Sequence, residues 1–530
     1  MVELHSAGHR RGVVAAPHAV AAESGKAILA DGGNALEAMV AMATSIAAVY
    51  PHMNHIGGDG FWMVREPRGR VRAIMAAGVA GAKAQPELYR AHEAIPARGP
   101  LAALTVPGAI GGWMVALELA KAHGGKLPLD VLLASAIRQT RDGYVVARSQ
   151  ARLTAEKLSE LKDVPGFAAT FLVEGKPPEA GKMMKQTALA ATLDYLAHAG
   201  LADFYRGDIG REIAADLERI GSPVTRADLE RYQATLAEPL SVKLRAGTLY
   251  NTPPPTQGLA SLLILALFER LHVSEADGFD YVHGLVEATK RAFRVRDRVV
   301  TDPARLPHPL DRYLDAKFLD AEASKIDRRK AAPWPARPGD GDTIWMGAAD
   351  SSGLVVSYIQ SLYWEFGSAC VLPNTGVLMQ NRGSSFSLDP KALNALAPGR
   401  LPFHTLNPAV AVLTDGRVIG YGTMGGDGQP QTQAMLFSRH VLYRQPLDKV
   451  IVAPRWLLGR TWGSTVTNLR IEPRFDGNVL DRLVSAGHDV EVLNEPYSDL
   501  VGHAGAVVLH PEGTCEGAHD PRADGGAAGV

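Results

Sequence analysis

The chemistry in this 530-residue chain centres on a threonine that could become a chain terminus. Gly341-Asp342-Thr343 stands where a stretch containing Pro333, Pro335, Pro338 and Gly339 gives way to a β-rich run. A threonine hydroxyl is a weak nucleophile until a base removes its proton. A free α-amino group, with a reference pKa of about 7.7–8.0, is a base that the same residue can supply. Cutting between Asp342 and Thr343 would create that amine. On local sequence alone the plainer reading of Thr343 is a strand-initiating residue after a linker.

Other motifs carry less. No G-x-S-x-G elbow, H-E-x-x-H pair or G-x-x-x-x-G-K-[ST] loop occurs. Gly420 to Gly425 spells G-x-G-x-x-G, but no helix opens inside it and no βαβ unit surrounds it, so it does not read as a dinucleotide site. His52 and His55 near Asp59 read as a hydrogen-bonded structural cluster beside a glycine turn rather than as metal ligands. Ser159-Glu160-Leu161-Lys162 matches S-x-x-K, too short a pattern to weigh. Neither a metal nor a cofactor is expected.

The elements that must position Thr343 follow from periodicity and breakers. Ala19 to Ala30 reads as a helix closed by Gly32-Gly33, and Asn34 with Glu37 is a capping box opening a second helix through Val49. Ile56-Gly57-Gly58-Asp59-Gly60 then reads as a turn into a strand at Phe61 to Val64. Helices are expected at Asp130–Asp142, Asp208–Glu218, Leu259–Leu271 and Asp280–Val299, with Thr252 to Gly258 a rigid proline wall before the third. Lys330 to Asp342 reads as an exposed linker. Beyond it, Ile344 to Ala349 and Leu354 to Ser361 flank Asp350-Ser351-Ser352-Gly353, a hairpin signal, with further strands expected at Thr375–Met379, Ala409–Leu413, Val418–Tyr421, Asn468–Ile471 and Gly505–Leu509. The Gly-Ala tail from Asp524 reads as frayed.

With 55 basic against 56 acidic residues the chain lacks the cationic excess of a nucleic-acid binder. Cys370 and Cys515 are too few for a disulfide framework. The N-terminus lacks a basic segment followed by an apolar one, and the most apolar stretches fall short of the ~20 residues a membrane helix needs, so a cytoplasmic protein with no membrane partner is expected.

Taken in order, "VVAAPHAVAAESGKAILADGGNALEAMVA", "YPHMNHIGGDGFWMV", "VPGAIGGW", "FYRGDIGREIAADL", "TPPPTQG", "EATKRAFRVRD", "DTIWMGAADSSG", "GTMGGDGQPQTQAML" and "GAHDPRADGGAAGV" resemble segments of the γ-glutamyltranspeptidases, N-terminal-nucleophile hydrolases, from about Gly12 to Val530. The resemblance implies an α+β, four-layer αββα sandwich. It also implies a precursor that cuts itself between Asp342 and Thr343 into a large subunit, 1–342, and a small one, 343–530, which stay together as an αβ heterodimer. It casts Thr343 as nucleophile and base, Ser361 as a hydroxyl bonded to it, and Gly425 and Gly426 as backbone donors to the oxyanion.

The resemblance breaks where a γ-glutamyl group would be held. No arginine occurs between Arg72 and Arg90, where the family places one for the α-carboxylate. A serine pair becomes His404-Thr405, an acidic residue becomes Ser385, and an asparagine and a glutamine become Tyr363 and Arg382. Losing the acid while gaining Arg382 favours a simple anion over a zwitterion. Arg382 could instead be a structural arginine paired within the sheet, and His404 a satisfied loop histidine. The segments around Arg382, His404 and "PPPTQG" are similar to the oxamate amidohydrolase branch. The expected substrate is therefore a small carboxylate-bearing amide such as oxamate. A glutathione hydrolase or γ-glutamyltransferase, a cephalosporin (glutaryl) acylase and an uncleaved binding protein are the alternatives. Thr343→Ala is expected to leave one uncut, inactive chain by intact mass, and normal processing of that variant would refute the assignment of the nucleophile.

Overall fold

The computed structural model describes residues 1–334, 342–459 and 467–530. Two seven-stranded antiparallel sheets lie face to face. The first runs, edge to edge, Gly526–Gly529, Gly12–Ala16, Asp342–Asp350, Val355–Tyr363, Asp59–Arg65, Val71–Ala76 and Thr235–Ala237. The second runs His5–His9, Cys515–His519, Gly505–Leu509, Val418–Gly422, Ala409–Leu413, Gly247–Asn251 and Leu240–Leu244. Both chain ends thus place one strand in each sheet and tie the sheets together.

Three apolar cores define four layers. Helices Ala35–Val49, Ala109–Ala122 and Leu129–Asp142 cover the outside of the first sheet. Helices Gly258–Arg270, Phe279–Val299 and Gly428–Phe437 cover the second. Between the sheets lie Val13, Phe61, Met63, Trp345, Ile359, Val410 and Val507. A central strand covered on both faces has no solvent side, which is why Val355–Tyr363 is buried along its whole length instead of alternating. The result is the αββα sandwich.

Local signals place the elements well. Asn34 Oδ1 accepts from the Leu36 and Glu37 N–H groups, and a Glu37 carboxylate oxygen accepts from Asn34 N–H, closing the capping box. Asp350, at the hairpin turn, accepts from Ala35 N–H (2.7 Å) and locks that turn onto the helix start. Gly143 ends its helix at φ +120°.

Three expectations are corrected. The tail is no frayed end: Gly526–Gly529 is an edge strand paired with Gly12–Ala16, and Ala527 and Ala528 are buried. Its small residues are what close approach requires, since a Cβ on Gly526 would meet Glu3 O at 2.3 Å. Thr375–Met379 forms no strand; it folds back through Leu372 N–H to Val377 O and makes two isolated bridges, Leu378 to Val371 and Met379 to Gly57. The start of the expected linker is anchored, with Ala331 N–H bonded to Ala486 O, Arg294 to Pro333 O, and Trp334 packed near Phe293. The remainder, 335–341, lies outside the described residues, and Asp342 is described only as backbone opening the strand.

Trp345 holds the sheets at their spacing. It donates to Ser357 Oγ (2.9 Å) and fills space left by Gly422 and Gly505, where a Cβ would come within 2.2 and 2.1 Å of its ring. Trp345→Ala is expected to cost about 3–5 kcal/mol, read as a lowered denaturation midpoint.

Candidate active site

The hairpin that carries Thr343 is irregular at one place. Asp342 pairs with Tyr363 and Ile344 with Gln360, so Thr343 faces two residues, Ser361 and Leu362. Such a bulge re-aims side chains, and bulges recur beside active sites. The Thr343 hydroxyl, fully buried, donates to Ser361 Oγ (3.1 Å), and Tyr363 N–H donates to the same oxygen (2.8 Å).

Gly425 and Gly426 form the turn between strand Val418–Gly422 and helix Gly428–Phe437 at φ +109° and +51°, backbone that favours glycine. Gly428 N–H donates to Gly425 O (2.7 Å) and Gln429 N–H to Gly426 O (3.2 Å). A trans peptide sets its C=O and N–H opposite one another, so the Gly426 N–H points away from the helix. It is therefore not used up by the helix's own hydrogen bonds.

The turn is held by a residue that sequence reasoning treated only as part of a motif. Gln257, fully buried, donates from Nε2 to both Gly426 O (2.8 Å) and Thr405 O (2.7 Å). Its Oε1 accepts from Arg296 (2.8 Å), which also pairs with Asp427 (2.7 Å) and lies over the Phe293 ring. One amide therefore fixes the glycine turn and the His404-Thr405 loop together.

Arg382 opens a short 3-10 turn, Arg382–Ser385, and is 1% exposed. Its guanidinium stacks on the Tyr363 ring at 3.7 Å and donates to Thr405 Oγ1 (3.2 Å) and Phe403 O (3.4 Å). Tyr363 adopts φ +86°, strained for a non-glycine residue, and this bends the strand end so that the ring covers Arg382. Burial lowers the Arg382 pKa to about 10, which leaves it charged at neutral pH. No carboxylate pairs with it among the described residues, so the reading of a sheet salt bridge fails. Ser385 donates to Phe403 O (3.1 Å) and supports the loop rather than facing Arg382 directly.

His404 is fully buried and held neutral, first by burial and then by Arg382. It is not a satisfied loop histidine: neither ring nitrogen has a hydrogen-bond partner among the described residues. Its Nε2 lies 3.3 Å from Asp59 Oδ2, close enough for an ion pair but too poorly aligned for a hydrogen bond. In the sequence Asp59 reads as part of a turn and the site lacks an acid; the structure returns one from a distant strand. The only sequence signal was its glycine setting, which tells of backbone shape and not of neighbours. His52 bonds Ser149, and His55 accepts from Leu378 N–H, so neither histidine turns toward Asp59. Beside the anchors, the Phe61 ring meets His404 edge-on (4.8 Å) and borders a cavity of about 500 Å³ whose lining includes Met75, Ala77, Val79, Pro255 and Leu401.

The αββα sandwich is that of the N-terminal-nucleophile hydrolases. The chain belongs to the γ-glutamyltranspeptidase family: the family profile described as gamma-glutamyltranspeptidase matches residues 21–530. It is an enzyme of the amidohydrolase kind, acting on C–N bonds. It is 52% identical over 99% of its length to the whole oxamate amidohydrolase proenzyme of Klebsiella pneumoniae. It is 39% identical, over 98% of each chain, to a glutathione hydrolase-like proenzyme of Bacillus subtilis. A crystal structure of cephalosporin acylase from Bacillus halodurans superposes with a TM-score of 0.91 at 30% identity, covering 100% of this chain and 97% of that one.

Gln257→Leu keeps the volume but orphans the Thr405 carbonyl, at about 1–3 kcal/mol, and leaves Gly426 O only its bond from Gln429 N–H. A fall in kcat/KM of roughly 10- to 100-fold is expected, and unchanged kinetics would reduce Gln257 to a packing residue.

Proposed function

We propose that the chain cleaves its own Asp342–Thr343 bond and, as a heterodimer of 1–342 and 343–530, hydrolyses a small amide bearing a carboxylate, with oxamate as the first candidate. The observation that carries this reading is Arg382: a buried, charged guanidinium with no carboxylate on it among the described residues, close to the Thr343–Ser361 hydroxyl pair through Tyr363. A buried cation costs free energy unless an anion meets it, and oxamate carries its carboxylate directly on the amide carbonyl. The likeness to the Klebsiella enzyme supports the same substrate.

In maturation the Thr343 hydroxyl attacks the Asp342 carbonyl, the peptide nitrogen leaves as the new α-amine, and water hydrolyses the ester. While the chain is continuous that nitrogen is an amide and cannot act as a base. In turnover the freed amine takes the hydroxyl proton as Oγ1 attacks the substrate carbonyl and passes it to the departing ammonia. Gly425 and Gly426 N–H groups meet the oxyanion, each such donor commonly contributing about 2.7–4 kcal/mol. Water then releases the dicarboxylate. Ser361 orients the nucleophile; Arg382 and Thr405 receive the substrate carboxylate beside His404, with Tyr363 and Ser385 shaping the anchor.

The cavity beyond Phe61, lined by apolar side chains together with Asp228 and Arg231, favours a second reading, an acylase for larger amides. Ammonia release from oxamate, set against turnover of γ-glutamyl and glutaryl amides, separates the two. Arg382→Ala is expected to raise KM for oxamate roughly 10- to 150-fold, the equivalent of about 1.5–3 kcal/mol for a charged hydrogen bond; an unchanged KM would remove Arg382 from substrate binding.

A further inference from the structure

Asp59 and Ser361 are register partners on adjacent antiparallel strands, and Ser361 accepts the Thr343 hydroxyl. Directly opposed residues point to the same face of a sheet. Thr343, Ser361 and Asp59 therefore form a row across three strands, with Asp59 at the end nearest the anion anchors. One side of its buried carboxylate is saturated: Oδ1 accepts from Gly108 N–H (3.0 Å), Gly78 N–H (3.3 Å) and Gln380 Nε2 (3.0 Å). The other is not. Oδ2 has no hydrogen bond among the described residues, and neither does His404 Nε2 at 3.3 Å. Unpartnered buried polar atoms facing one spot beside a guanidinium describe a place for a polar ligand.

The charges at that spot limit which ligand fits. Arg382 supplies one positive charge and a substrate carboxylate one negative. An ionised Asp59 would add a second negative charge in a site shut off from water, where it is poorly screened. The titratable groups that act on Asp59 are Arg382 and His404 from the loops, Tyr358 from the return strand, and Tyr205 and Tyr232 from the helical layer. Burial keeps the three phenols and His404 uncharged at neutral pH, and Arg382 stays charged. Of these Asp59 is the one whose charge changes near neutrality, because burial raises its pKa to about 7; in the processed enzyme the Thr343 α-amine, with a reference pKa of about 7.7–8.0, titrates in the same range, and Asp59→Asn separates the two.

We propose that Asp59 couples anion recognition to protonation: docking a carboxylate on Arg382 draws one proton from solvent onto Asp59 Oδ2, and the neutral acid tolerates the anion beside it. The inference rests on the anion-binding reading of Arg382. The sign follows from the acid's protonated form being the one that binds. Anion affinity is full below the Asp59 pKa and falls as pH rises through it, by about tenfold per pH unit for one linked proton.

The test uses the processed enzyme with oxalate, the dicarboxylate product of the proposed reaction, as a non-reacting probe. In the wild type the competitive inhibition constant is expected to rise about tenfold per pH unit above neutrality. About one pH unit above neutrality, calorimetry in two buffers of different ionisation enthalpy should register uptake of about one proton, and Asp59→Asn, a mimic of the neutral acid, should abolish both effects. An infrared difference spectrum of the wild type with isotopically labelled oxalate needs no variant and should gain a protonated-carboxyl C=O band. Binding without that band, or proton uptake that persists in Asp59→Asn, overturns the role of Asp59 and leaves the anion site standing. Failure of oxalate to bind overturns the anion reading, and this inference with it.

Discussion

An arginine charge taken out of water, with no carboxylate beside it among the described residues, is the constraint around which the candidate site is arranged. Removing a guanidinium from solvent costs several kcal/mol, and neutral partners return only part of that. Arg382 has an aromatic face, a threonine hydroxyl and a backbone carbonyl. These orient the fork without discharging it. Tyr363 accepts a strained backbone to provide the face, which is the kind of local cost that persists when surrounding structure enforces it.

The rest of the sandwich reads as support for that arrangement. The bulge opposite Thr343 sets its hydroxyl on Ser361, and the N–H of Tyr363 bonds the same oxygen while its ring covers Arg382, so the end of strand Val355–Tyr363 touches both the nucleophile candidate and the anion anchor. From the second sheet, Gln257 ties the glycine turn to the Thr405 loop, and the Arg296–Asp427 pair ties Gln257 to the helical layer. Trp345 keeps the two sheets at the distance that lets these groups meet. Misplacement of reacting groups by about 1 Å can cost 10²-fold in rate, which gives so rigid a scaffold a purpose.

Much of this is legible in the sequence. The capping box at Asn34, the hairpin around Asp350 and the helix ending at Gly143 are set by neighbours a few residues apart, and their chemistry is visible in a short window. Thr343, Ser361, Arg382, His404 and Thr405 were found through resemblance and through departures from it, since no periodicity marks them. What failed did so for identifiable reasons. Glycine and alanine in the tail were taken for looseness, although the same small residues permit an edge strand to lie flush against its neighbours. Asp59 was taken for turn chemistry because its flanking glycines dominate the local signal.

By itself the sequence determined most element types and the placement of a threonine near the head of a strand, and it suggested a basic anchor in place of a zwitterion site. Those properties depend on contacts between near neighbours or on residue identity alone. Only the tertiary structure decided that Asp59 returns an acid to the site, that Gln257 links two loops, and that Arg382 has a ring but no carboxylate against it. Such groups meet across sheets and layers, at separations in the chain where no local pattern encodes distance, and the charge state of a buried acid depends on what water it has lost, which is a property of the packed interior.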